Sequence, residues 1–119
     1  MEELLKQLLS ENPELQALLV VDEEGIVVYK ESREGLPFDP EEAAVELITP
    51  STRIDEFLHD SLEEEKGLEE FIVFSRRYLF LVYKLVNETF LVAVSSRTPL
   101  YGRLRFRLRS KLKEVIKQL

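Results

Sequence analysis

Few side chains in this sequence have the type and spacing that catalysis requires. His59 is the only histidine, and the chain contains no cysteine. Glu23 with Glu24, and the three glutamates at 63–65, could act as acid–base pairs or metal ligands. Adjacent side chains on a helix point apart, however, and runs of like charge are usually solvated. No phosphate-loop, dinucleotide-binding, zinc-protease or serine-hydrolase motif occurs. We therefore expect no catalytic residue, cofactor or metal, and predict that the protein is not an enzyme.

A basic segment near the C-terminal end is the strongest candidate for binding chemistry. It consists of Arg103, Arg105, Arg107, Arg109, Lys111 and Lys113. At 100° per residue these alternating positions cover a broad surface of a helix, which would bind phosphate if it were accessible. Three uses stay open: pairing with acidic groups of this chain or of a protein partner, which we favour, a solvated surface, or binding of nucleic acid or an anionic membrane. The net charge of −7 argues against nucleic acid.

Charge is divided unevenly along the chain. Residues 1–70 contain 21 acidic and 5 basic side chains, whereas residues 71–119 contain 2 acidic and 11 basic ones. The two parts therefore carry net charges of −16 and +9. Such opposite charges favour contact between the two parts, within one molecule or between molecules.

Length and composition indicate one globular domain over residues 1–119. The acidic start is unlike a secretory leader, and no apolar run approaches the ~18 residues that a membrane span needs. The absence of cysteine is typical of a reducing compartment, so we expect a cytoplasmic protein without a membrane span. The 33% of charged residues, together with few amides, is a composition typical of thermophiles.

Hydrophobic periodicity predicts the order helix, two strands, helix, three strands, helix. The first helix covers 2–9, and the strands at 15–21 and 26–31 are joined by a hairpin that ends at Gly25. Asp39 and Pro40 have the sequence of a helix start. That second helix is expected to extend to Gly67, with a kink or break at 49–52 caused by Pro50. Three antiparallel strands follow at 71–74, 78–86 and 89–95, and a last helix is expected to start at Thr98-Pro99.

This order and two sequence motifs resemble the Roadblock family of the Roadblock/longin superfamily, which includes MglB-type partners of Ras-like GTPases. The first motif is ALLVVDEEGIV at residues 17–27. The second is FLVAV at 90–94, followed by PLYGRLR at 99–105. The resemblance implies an α+β fold in which one antiparallel sheet has the strand order 2-1-5-4-3. It places the central helix on one face and the terminal helices on the other.

The resemblance also implies a homodimer that binds a Ras-like small GTPase and regulates or scaffolds it. In that family strand 3 pairs with strand 3, and the central helices pack together. In this sequence the predicted interface comprises Phe71, Ile72, Val73 and Phe74 of strand 3, with Ile54, Phe57, Leu58 and Leu62 of the central helix. An apolar edge strand without proline needs a covering partner, which a second copy would supply. An assembly subunit without a GTPase partner is an alternative, and the turn residues Arg76 and Arg77 are not assigned as an arginine finger.

Overall fold

The structure, a computed structural model, describes residues 1–65 and 67–119. Its elements follow the predicted order. They are α1 (Glu2–Glu11), β1 (Leu15–Asp22), β2 (Val27–Ser32), α2 (Pro40–Ser61), β3 (Glu70–Phe74), β4 (Tyr78–Lys84), β5 (Thr89–Ser96) and α3 (Tyr101–Lys117).

The five strands form one antiparallel sheet in the order β2-β1-β5-β4-β3, as predicted. Both faces of β1 are buried because its residues are apolar at successive positions. Leu18 and Val20 pack with α1 and α3, whereas Leu19 and Val21 pack with α2. The two apolar cores therefore lie on opposite faces of the sheet, and β2 and β3 form its edges.

The hairpin between β1 and β2 forms where the sequence predicted it. The Asp22 carboxylate accepts hydrogen bonds from the backbone N–H groups of Glu24 and Ile26, both at 2.9 Å. Gly25 has a φ of 86°, which glycine adopts without steric cost. Ile26 belongs to this turn, so β2 starts at Val27, one residue later than expected.

Helix α2 starts as predicted, and it is continuous where the sequence predicted a break. The Asp39 carboxylate accepts a hydrogen bond from the N–H of Glu41 at 2.9 Å, and Pro40 occupies the first helical position. The helix continues through Pro50, so the predicted break is wrong. Proline removes one N–H, and Glu46, four residues earlier, is exposed, so water can hydrate the carbonyl left without a donor. Packing of Ile48 before the proline and Ile54 after it holds the helix against the sheet.

Two helix boundaries also differ from the predictions. Helix α2 ends at Ser61 and not at Gly67, and Glu63 has a left-handed φ of 54° that does not continue a helix. Helix α3 starts at Tyr101 and not at Pro99. Thr98 does not cap the helix, because its hydroxyl accepts a hydrogen bond from the N–H of Leu100 at 3.1 Å, in the turn before it.

Candidate interaction surface

The outer edge of β3 is the first part of the candidate surface. Strand β3 pairs only with β4, so one side of its backbone has no partner in the described residues. Phe71 packs against the core on the α2 face, and Ile72 packs against the core on the α1–α3 face. Phe71, Ile72 and Val73 are only half-buried, and Phe74 is 45% exposed. The strand therefore has apolar side chains at an unprotected edge.

The predicted interface residues of α2 separate into two kinds. Ile54 and Leu58 are half-buried and pack against the core of their own chain. Phe57 is 55% exposed, and Leu62 is exposed to a similar extent. Leu62 lies one residue beyond the end of α2, so its assignment to the helix is wrong. Of the four, Phe57 and Leu62 have the larger surface for a partner.

Asp55 fixes α2 relative to the strands that follow it. One carboxylate oxygen accepts a hydrogen bond from the Leu68 N–H at 2.7 Å, and the other accepts one from Lys84 Nζ at 2.6 Å. Burial alone raises the pKa of this carboxyl, but these hydrogen bonds and the Lys84 charge together lower the pKa below its ordinary value. Gly67 has a φ of 65°, and a Cβ there would lie 2.2 Å from the carboxylate. A glycine is therefore required beside this contact.

The basic side chains of α3 also separate into groups. Arg105 Nε donates hydrogen bonds to both carboxylate oxygens of Glu70, at 2.7 and 2.8 Å. This pairing raises the pKa of the Arg105 guanidinium. Arg109 lies 3.6 Å from the same carboxylate and 3.7 Å from that of Glu69. Part of the basic surface is therefore neutralised within the chain, one of the uses that the sequence left open.

The other cations of α3 form no ion pair with Glu69 or Glu70 in the described residues. Arg107 donates a hydrogen bond to the side-chain oxygen of Asn12 at 3.2 Å, and Lys111 lies 3.5 Å from Glu114. Arg103 and Lys113 are exposed, and neither forms an ion pair within residues 1–65 and 67–119. These two side chains are available to a partner.

Sequence reasoning missed an aromatic contact at the end of β3. The rings of Phe74 and Tyr101 meet edge to face with centroids 5.2 Å apart, and the Arg97 guanidinium lies 5.4 Å from the Phe74 ring centroid.

Sequence reasoning also missed Glu70, which has only 12% of its side chain exposed. Glu70 is opposite Tyr83 in the β3–β4 register, a pairing that would have placed it on the α3 face. Burial and then the Glu70 carboxylate raise the pKa of the Tyr83 phenol.

The residues considered for catalysis are distributed over the β1–β2 turn, the end of α2 and the β3–β4 turn. His59 is exposed in the last turn of α2, and Arg76 and Arg77 are exposed in the β3–β4 turn. The Glu23 carboxyl lies against Glu88, which raises the pKa of Glu23. Within residues 1–65 and 67–119, no three potential metal ligands form a group.

Comparison of the coordinates with solved structures finds close similarity over nearly the whole chain. The gliding protein MglB from Thermus thermophilus superposes with a TM-score of 0.77 at 19% sequence identity, covering 97% of this chain and 84% of that one. A Roadblock/LC7 domain from Streptomyces avermitilis gives 0.72 at 14% identity, covering 97% and 93%. The chain has the fold of Roadblock/LC7 domains.

MglC from Myxococcus xanthus has the same Roadblock/LC7 fold, with a TM-score of 0.68 at 23% identity over 97% of this chain and 95% of that one. No protein family matches by sequence, and no curated protein does. The fold predicted from the hairpin and the strand-to-helix motif is thus confirmed. None of the helices in the described residues is both long and apolar enough to cross a membrane.

Proposed function

We propose that this chain is a non-enzymatic interaction module that forms a homodimer through the edge of β3. The supporting observation is the edge itself: β3 has apolar residues on both faces, its outer side has no partner strand in the described part of the chain, and Phe74 is 45% exposed. An uncovered apolar edge strand recruits other strands and promotes aggregation. Symmetric pairing with a second copy satisfies the backbone groups and covers the side chains.

The geometry of such a pairing determines what each face of the dimer presents. A continuous antiparallel sheet formed by two identical edge strands has its two-fold axis perpendicular to the sheet. Both copies of α2 then lie on one face, and both copies of α3 lie on the other. Phe57 and Leu62 are the exposed apolar residues of the α2 region that could extend the contact beyond the strands. An interface of about 1,500 Å² would be of standard size for a specific complex.

The proposed partner is a Ras-like small GTPase, which the resemblance to the Roadblock family implies. The similar folds of MglB and MglC support this class of partner. The dimer would bind the GTPase on the α2 face or at the sheet ends. Regulation requires a higher affinity for one nucleotide state of the switch loops than for the other, because equal affinity shifts no equilibrium.

Binding to a Ras-like GTPase loaded with GDP or with a non-hydrolysable GTP analogue tests this function. We expect affinities that differ by at least about fivefold between the two states, the lower range of allosteric coupling. The GTPase encoded beside this protein, where there is one, is the first choice. Equal affinity would leave only a scaffolding role, and no binding of either form would favour the assembly subunit.

A further inference from the structure

The outward face of α3 contains an unusually exposed aromatic residue. Phe106 is 73% exposed, the highest value for any large apolar side chain in residues 1–65 and 67–119. Gly102 lies one turn before it and Ser110 one turn after it, and together with Arg105 and Arg109 they border a shallow depression. A Cβ at Gly102 would meet no atom within 4 Å. No contact within residues 1–65 and 67–119 therefore accounts for either the exposed ring or the small residue beside it.

Cations surround Phe106 on this face. Arg103 and Lys113 are exposed without an ion pair in the described part of the chain, and the contacts of Arg109 with Glu69 and Glu70 are long, at 3.7 and 3.6 Å. Glu114 is the only acidic residue in Tyr101–Lys117. The helix thus presents one aromatic ring within a positively charged surface.

Exposed acidic side chains occur on both faces of the sheet: Glu2, Glu3 and Glu11 belong to α1, which shares the α3 face, and others belong to α2. Glu46, Glu56 and Asp60 are exposed residues of α2, which packs on the other face of the sheet. Layers in such a fold are about 10 Å apart, so α2 and α3 are separated by roughly 20 Å. This distance exceeds the Debye length of about 8 Å at physiological ionic strength. The acidic charge of α2 is therefore screened from an anionic surface at α3, and the cations of α3 outnumber its single acidic residue, Glu114.

We propose that the outward face of α3 binds an anionic lipid surface, with Phe106 inserted among the headgroups and Arg103, Arg109 and Lys113 beside lipid phosphates. Charge complementarity selects an anionic partner. The shape favours a lipid surface over an acidic peptide, because peptide anchors need a deep groove, whereas Phe106 projects from the helix beside a shallow depression. An aromatic ring among cations is the composition of helices that lie in a membrane interface.

This surface adds to the proposed function and does not depend on it. If the β3 dimer forms, both α3 helices lie on the same face, and two weak contacts act together on one membrane. The α2 face would then point away from the lipid and remain accessible to a protein partner. A monomer would bind through the same residues with lower affinity.

Tryptophan fluorescence tests the proposal directly, since the chain contains no tryptophan. In Phe106→Trp, vesicles of phosphatidylglycerol should shift the emission to shorter wavelength, whereas vesicles of phosphatidylcholine should not. The matched control is Val45→Trp, at an exposed apolar position of α2 outside the proposed dimer interface, and its emission should not shift. Added salt should weaken binding of Phe106→Trp, because the attraction is electrostatic.

Charge reversal identifies the cations involved. In the Phe106→Trp background, Arg103→Glu with Lys113→Glu should lower the affinity for phosphatidylglycerol at least about tenfold, given a factor of about five for each cation near the surface. Arg53→Glu on α2 changes the net charge by −2, half the change in the double variant, and should leave the affinity within about twofold. Circular dichroism of each variant checks that the fold is kept.

Three outcomes would overturn the proposal. They are no shift of Phe106→Trp with phosphatidylglycerol, an equal shift with both lipids, or binding that persists in the double reversal. A shift with polyglutamate but not with vesicles would assign this face to an acidic protein instead. Val73→Lys in the Phe106→Trp background separates the lipid proposal from the dimer proposal. If this variant is a monomer and still binds vesicles, although more weakly, the result supports the lipid surface. That conclusion does not depend on the oligomeric state of the unaltered protein.

Discussion

Arg105 on α3 holds both carboxylate oxygens of Glu70 on β3, with Nε at 2.7 and 2.8 Å from them. Glu70 is mostly buried, whereas Arg105 is 43% exposed. The contact joins the last helix to the edge strand that we propose as the dimer interface. Within its own chain β3 is held by β4 at one edge and by α3 on one face. Its outer edge is left for a partner.

Replacing Glu70 should weaken this connection. Glu70→Gln is expected to lower the free energy of unfolding by about 1 kcal/mol, a value that allows for the screening of the exposed Arg105 by solvent. Glu69→Gln is the matched control, because Glu69 is exposed and its contact with Arg109 is 3.7 Å long, so we expect almost no change. Urea unfolding of both variants measures the difference. Equal stability of the two would show that the Glu70–Arg105 contact contributes nothing.

Asp55 should make stability depend on pH in acid. Its pKa is lowered in the folded state, so the carboxylate stabilises the fold above the unfolded pKa of about 3.9, and this stabilisation is lost as the pH falls below that value. In Asp55→Asn the unfolding free energy should be lower at neutral pH and should decrease less on acidification. Asp60→Asn, at an exposed position of the same helix, should retain the dependence of the unaltered protein. Urea unfolding at a series of pH values compares them.

The turn between β4 and β5 contains strain that glycine would remove. Asn87 and Glu88 both have a φ of 57°, in the left-handed region. This conformation costs an ordinary residue about 1–2 kcal/mol, partly offset by the entropy that glycine loses. Glu88→Gly should therefore raise the free energy of unfolding by about 0.5–1 kcal/mol.

A pH series separates strain from charge in the same variant. The raised pKa of Glu23 means that its contact with Glu88 favours folding in acid, and this contribution is lost as the pH rises through the raised pKa. The gain from Glu88→Gly should therefore be larger at neutral pH than in acid. Asn87→Gly should gain less, because asparagine tolerates this conformation. A loss of stability in Glu88→Gly would contradict the assignment of strain.

Much of the fold could be predicted because local chemistry and tertiary structure agree. Strands β1 and β5 are apolar at successive positions and are buried on both faces, and Asp39 with Pro40 starts a helix as expected. Pro50 was misleading because its local cost is offset by packing of Ala44, Ile48 and Ile54 against the sheet, which no helix propensity records.

The interaction surface was predictable only in part. An apolar edge strand can be recognised from its sequence, once the strand order is known. The burial of Glu70 and the contact of Phe74 with Tyr101 depend on α3 lying over β3, which is a tertiary relationship. For the same reason Ile54 and Leu58 could not be distinguished in advance from Phe57, since all have helical spacing and only packing shows which of them face the sheet.

The mass of the protein in solution tests the central claim most directly. Multi-angle light scattering should give twice the chain mass of 13.9 kDa for the unaltered protein and 13.9 kDa for Val73→Lys, with circular dichroism unchanged. Val28→Lys places the same charge on the other edge strand, at an exposed position, and should remain dimeric. An unaltered protein that stays at 13.9 kDa at all concentrations, or a Val73→Lys variant that stays dimeric, would contradict the β3 interface.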